Sequence, residues 1–173
     1  MVFIRTFAAI VHALAGAAWF GSMFYSLTVF QPRALAYFVD PVRFEDFIAA
    51  ISRGARWKVL SAFGIVLISG IALVAFDHPT PVSGFWVTLI IAKSVLFLAA
   101  LAVFCHVSWN LWPARIFATA EEAPLFQKRF RRIGLLLVLL VGSDLVLGVL
   151  AHSMASSANP VQIHAESEPK RHQ

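Results

Sequence analysis

The sequence predicts an all-α integral membrane protein: an up-down bundle of four transmembrane helices, with a short amphipathic surface helix between the first two spans. Three observations lead there. Of the 173 residues, 60% are hydrophobic and 13% charged, with a mean hydropathy of +0.78. A soluble domain of this length needs far more polar surface to cover its core. Four apolar segments are each long enough to cross a bilayer, which takes about 20 residues of helix. Prolines and basic runs fall between these segments, where spans end.

The first span is expected from about Phe3 to Phe30 and the second from about Trp57 to Phe76. The third runs from about Gly84 to Trp109 and the fourth from about Ile133 to Met154. Pro32, Pro79, Pro81 and Pro113 lie at or beyond their ends. The first segment is too long for a signal-peptide core and carries His12, Trp19 and Tyr25, so it reads as a retained helix. From Pro41 onward, Val42, Phe44, Phe47, Ile48 and Ile51 recur at near-helical spacing, as in a helix lying on a membrane surface. Residues 1–155 form the four-helix domain in this reading. Residues 156–173 form a polar tail expected to be disordered. No convincing internal repeat stands out.

The net charge of +5 would point to nucleic acid in a soluble protein. Here the basic residues sit beside apolar spans, so the expected partner is the lipid bilayer and not nucleic acid. Arg33, Arg43, Arg53, Arg56 and Lys58 flank the first connection, and Arg115, Lys128, Arg129, Arg131 and Arg132 the third. The turn between the second and third spans has no Lys or Arg. Positive residues stay in the cytoplasm, which puts both termini outside it. A single cysteine, Cys105, excludes an internal disulfide and a cysteine-rich metal cage.

Three ionisable residues are expected deep in the spans. His12 and Lys93 each lie about 13 Å below the same surface at 1.5 Å per residue, and Asp144 sits near the middle of the fourth helix. Each is costly in hydrocarbon, about 2.5–3.5 kcal/mol for a central Lys or Asp. They read either as a buried polar network, with Lys93 paired to Asp144, or as a cofactor, ion or proton site. His12, Gly16, Trp19 and Met23 share one helix face. Gly16 serves close packing, or leaves room for a flat macrocycle.

Two outlying layers carry His, Met or Cys, the donor types suited to copper: Met23, Cys105 and His106 at one level, and His78, His152 and Met154 at the other. Trp57, Trp86, Trp109 and Trp112 read as interfacial belt residues. His164 and His172 fall in the tail. No phosphate-binding loop, zinc-protease helix or nucleophile elbow is present, and no catalytic residue is assigned.

The stretch "HALAGAAWFGSMFYSLTVFQPRA" resembles the first helix of the copper resistance protein D (CopD) domain, through His12, Trp19, Gly21 and Pro32. "SAFGIVLISGIALV" looks like its second helix and "FWVTLIIAKSVLFLAALAVF" like its third, with Lys93 at its lysine. The resemblance spans about residues 8–150. It implies a copper-handling protein of a bacterial-type inner membrane, in transport or delivery. His12 would be the central donor, with Met23, Cys105, His106 and His152 as entry or exit donors. Its partner would be a periplasmic copper-binding protein or a second copy of the chain. The domain is similar in layout to the membrane-bound haem-containing protoporphyrinogen oxidases. That implies the alternative of a b-type haem redox protein, with His12, Lys93 and Trp19 at the haem. A third class is a structural or assembly subunit, in which buried polar groups only fix packing.

Overall fold

The computed structural model describes residues 2–76, 82–119 and 121–157. Every regular element among them is helical: α1 Val2–Tyr25, α2 Gln31–Tyr37, α3 Pro41–Ile51, α4 Ala55–Phe76, α5 Gly84–His106, α6 Trp112–Ile116 and α7 Ala123–Ser157. Four continuous helical runs are long and apolar enough to span a membrane. The protein is thus a multi-pass membrane bundle, with most of each span's surface facing outward. His78, His164 and His172, and the side chain of Met154, lie outside the described residues, as does the tail beyond Ser157.

Two spans run past the prolines expected to end them. The α1 span reaches Tyr37 and the α5 span reaches Ile116. Five-residue π-helical turns make this possible, at Ser26–Phe30 before Pro32 and at Val107–Leu111 before Pro113. A proline in an α-helix clashes with the carbonyl four residues back. Here that carbonyl belongs to Thr28 or Trp109, inside the widened turn, so the helix continues with a local distortion. The fourth span likewise begins earlier than its apolar stretch. Its 35-residue helix α7 takes in the basic run Lys128–Arg132 as exposed early turns. At about 1.5 Å per residue, a helix of that length is longer than a hydrocarbon core is thick.

Hydroxyl groups inside the spans bond back to their own helix: Ser69 Oγ to the Ile65 carbonyl at 2.6 Å, Thr28 Oγ1 to Phe24 at 2.7 Å and Ser94 Oγ to Ile90 at 2.9 Å. This satisfies them without water. At the extramembrane junctions Asp40 caps α3 and Ser83 caps α5. Gly54, at φ +77°, makes the turn into α4 that a side chain would strain.

The surface helix predicted from Pro41 exists, and it docks on protein. Phe44 and Ile48 are buried against Ala34, Phe30, Phe38 and Trp112. Glu45 receives Arg115 Nε at 2.7 Å and Nη2 at 3.0 Å, and Gln127 Nε2 at 3.0 Å. Arg115 is buried, with the faces of Trp112 and Phe130 on its guanidinium. Helix α3 therefore straps α2, α6 and α7 together at the end where the basic residues collect, called here the basic end.

The chain is a tandem of two similar units, which apolar sequence alone had hidden. At one constant offset His12 matches Lys93, the π-turn Ser26–Phe30 matches Val107–Leu111, and Pro32 matches Pro113. The buried positions Ala8, Trp19 and Ala34 match buried Leu89, Ala100 and Arg115. In the second helix of each unit, Phe63, Gly64, Leu67 and Gly70 match Val141, Gly142, Leu145 and Gly148. Packing repeats as well: α1 lies along α4, and α5 lies along α7. Both units run in the same direction, the arrangement of a parallel repeat.

The seams between the units are unequal. Helices α1 and α7 meet closely, and bare glycines allow it. A Cβ on Gly16 would stand 3.2 Å from Leu145, on Gly142 3.2 Å from Phe20, and on Gly134 2.7 Å from Leu27. Gly16 thus serves packing. The equivalent seam, α4 with α5, lacks such packing. Its two helices meet through aromatic side chains toward the basic end, where Phe63 lies tilted against Trp19 of α1 at 4.2 Å and meets Phe97 at 5.4 Å and Phe104 at 5.6 Å.

Candidate functional site

Above that aromatic floor the α4/α5 seam opens into a groove of about 500 Å³. Its walls are Val66, Leu67, Ile71 and Val74 of α4 with Phe97 and Leu98 of α5. Three ionisable residues reach it, one from each of three helices: His12, Lys93 and Asp144. Pockets of this size, apolar with a few convergent polar groups, are the usual form of a ligand site.

The two units present these groups by the same local device. His12 Nδ1 lies 3.1 Å from the Val66 carbonyl, and Lys93 Nζ donates to the Asp144 carbonyl at 2.9 Å. Val66 and Asp144 are equivalent positions in α4 and α7. Four residues further on stand Gly70 and Gly148, whose missing side chains make the space. A Cβ on Gly70 would come 3.2 Å from His12 Cε1, and one on Gly148 2.9 Å from Lys93 Nζ. The first unit thus holds an imidazole against a bare helix backbone, and the second holds an ammonium.

A carbonyl only accepts, so the His12 proton belongs on Nδ1, facing Val66 and the Ser69 hydroxyl at 3.0 Å. Ser69 Oγ in turn donates to Ile65. Nε2 is then the nitrogen with the lone pair. It has no hydrogen-bond partner among the described residues, on a side chain that lines the groove. An imidazole fixed through one nitrogen and open at the other is the usual form of a metal-ligating histidine.

Lys93 and Asp144 form an ion pair at 3.2 Å, with the two side chains 18% and 16% exposed. One carboxylate oxygen, Oδ1, is buried without a partner among the described residues. Trp19 stands apart from this groove. It is buried in the aromatic floor, and its Nε1 also lacks an acceptor among the described residues.

The outlying donors lie at other levels than His12. Met23 packs against the aromatic floor. Cys105 is half-buried, and His106 is exposed beside Asn110 at 3.5 Å. These two lie about 18–20 Å along α5 from Lys93, and exposed His152 about 12 Å along α7 from Asp144. Among the described residues no three His, Cys, Asp or Glu side chains cluster as a metal site. Of the tryptophans read as belt residues, Trp57 and Trp109 are exposed, the latter under Arg56 at 5.3 Å. Trp86 is buried against Leu89 and Ala151.

Sequence reasoning missed Gly70, Gly148 and the Val66 carbonyl. The repeated pattern "G-x-x-L-x-x-G", at Gly64–Gly70 and Gly142–Gly148, was the available signal. It also missed the Glu45–Arg115–Gln127 cluster, whose members are distant in sequence.

In class, fold and site define a four-span helical membrane protein with a polar site in a lateral groove. No family model matches the chain, and no curated protein or solved structure matches it either.

Proposed function

We propose that the protein is a b-type haem-binding membrane protein, with His12 as the axial ligand and the α4/α5 groove as the haem site. The observation that carries this reading is His12 itself: Nδ1 is engaged by Val66, leaving Nε2 free on an apolar groove of about 500 Å³. A haem would be held by a ligating side chain such as an imidazole and by extended apolar walls, and this groove offers both. The bare backbone at Gly70 admits the imidazole ring. Lys93 reaches the same groove with its charge already balanced by Asp144, so the pair adds no net charge beside the imidazole. Bound haem would supply one-electron redox chemistry at its iron. The chain contributes the ligand, its tautomer and exclusion of water. The reading agrees with the resemblance to haem-containing protoporphyrinogen oxidases.

The test is an optical spectrum with metal analysis of the purified protein. A Soret band is expected. His12→Ala should lose it at unchanged extracted yield, while His106→Ala and His152→Ala keep it. Stoichiometric copper without a Soret band would transfer the assignment to copper handling. Absence of both would favour a structural or assembly subunit.

The orientation belongs to the same proposal. The basic end faces the cytoplasm of a bacterial-type inner membrane, and both termini lie on the other side. The support is the collection of Arg33, Arg43, Arg53, Arg56, Arg115 and the Lys128–Arg132 run at that end. A C-terminal reporter active only in the cytoplasm should be silent. Activity there would reverse the orientation.

A further inference from the structure

We infer that the groove exchanges its ligand sideways with the bilayer, through the α4/α5 seam, so that the protein takes up a membrane-dissolved tetrapyrrole. The inference rests on the haem reading of the groove and adds to it the route and the phase of the ligand.

The tandem architecture makes the argument. Two equivalent units create two equivalent seams, and the chain treats them oppositely. The α1/α7 seam is closed by Gly16, Gly142 and Gly134 against Leu145, Phe20 and Leu27. The α4/α5 seam has no matching closure. Gly64, the counterpart of Gly142, has nothing within 4 Å of where its Cβ would be. The groove is also blocked toward the basic end, where Trp19, Phe63, Phe97 and Phe104 pack together.

The lips of the open seam are apolar and outward-facing. Leu67, Ile71 and Leu98 line the groove, yet are 48%, 61% and 59% exposed. They belong to the interior of two spans, at hydrocarbon depth. What reaches the groove between them has to be soluble in lipid. The polar groups His12, Lys93 and Asp144 lie on helices α1, α5 and α7, at the inner side of a passage whose lips are hydrocarbon. An incoming ligand therefore meets apolar walls first, and its metal finds the open imidazole nitrogen of His12 inside.

The test uses the full-length apo protein in phosphatidylcholine vesicles, with hemin supplied predissolved in a second set of vesicles. The rate and final amplitude of the Soret band are both read. Ile71→Trp and Leu98→Trp should narrow the seam and slow loading by about tenfold or more. Ile68→Trp and Val95→Trp, equally exposed but off the groove, should load at the wild-type rate. Leu98→Ala, which widens the mouth, should load at least as fast as wild type. Wild-type rates in both seam variants would overturn the lateral route while leaving the haem site standing. Equal slowing by Ile68→Trp would overturn it too. A wild-type protein that develops no Soret band overturns the haem reading, and this inference with it.

Discussion

Lys93 and Asp144 illustrate how the residue scale sets the energetics. Each charge has left water, and the pair is held at 3.2 Å with both side chains mostly covered. Removing one partner strands the other in a medium that cannot solvate it, at about 3–5 kcal/mol. Asp144→Leu should therefore lower the detergent melting temperature sharply, and Lys93→Met similarly. The double variant, which leaves no stranded charge, should recover most of the loss. Additive losses in that cycle would show that the two groups do not act as a pair. At His12 the decisive neighbour is Gly70. Its absent side chain lets the ring lie over the α4 backbone, so under the haem proposal Gly70→Leu should displace the imidazole and reduce Soret absorbance per protein. Gly21→Leu, in α1 with open space around it and off the groove, should leave the absorbance unchanged.

At the scale of elements, α3 is the strap of the basic end. Its apolar face covers Ala34, and its one inward carboxylate satisfies buried Arg115. Glu45→Ala would leave that guanidinium unpaired, a loss of about 3–5 kcal/mol by the same logic. Protease sensitivity and amide exchange should rise across Pro41–Ile51, with α4 and α5 little changed. The same carboxylate also accepts from Gln127, so Gln127→Ala should have a smaller effect of the same kind. The π-turns before Pro32 and Pro113 let the helices entering this region pass their prolines without ending. That continuity carries Ala34 and Arg115, which occupy equivalent buried positions, to the strap.

For the whole molecule, the governing feature is the contrast between a sealed seam and an open one. Helix pairs in lipid gain little from burying apolar surface, so close backbone approach and side-chain fit decide which seams close. The α1/α7 seam has glycines in the right places, and Gly134 leaves the least room. Gly134→Leu should push α7 from α1 and cost about 1–3 kcal/mol, read as a lower melting temperature. At the lips of the α4/α5 seam the side chains are largely exposed and carry little packing. Leu67→Ala should accordingly leave the melting temperature of the apo protein within error of wild type.

By itself the sequence determined the membrane class, the four spans and the surface helix, because hydropathy and length report directly on burial in lipid. It also singled out His12, Lys93 and Asp144, since an ionisable group in hydrocarbon is conspicuous against apolar neighbours. Span ends were less legible. Pro32 and Pro113 read as stops, whereas a π-turn, a property of backbone geometry, lets the helix pass. The basic run Lys128–Arg132 is polar enough to resemble a loop, yet these residues form good helix. Only the tertiary structure decided which residues meet. It placed His12 on the Val66 carbonyl, Lys93 on Asp144 and Glu45 on Arg115, contacts that join positions far apart in the chain. It also set Met23 against the aromatic floor and left His106 and His152 exposed at levels away from His12. Depth along a helix follows from residue number, but the angle around it and the choice of neighbouring helix follow from packing. In a span apolar on every side, hydrophobic periodicity carries almost no information about that angle.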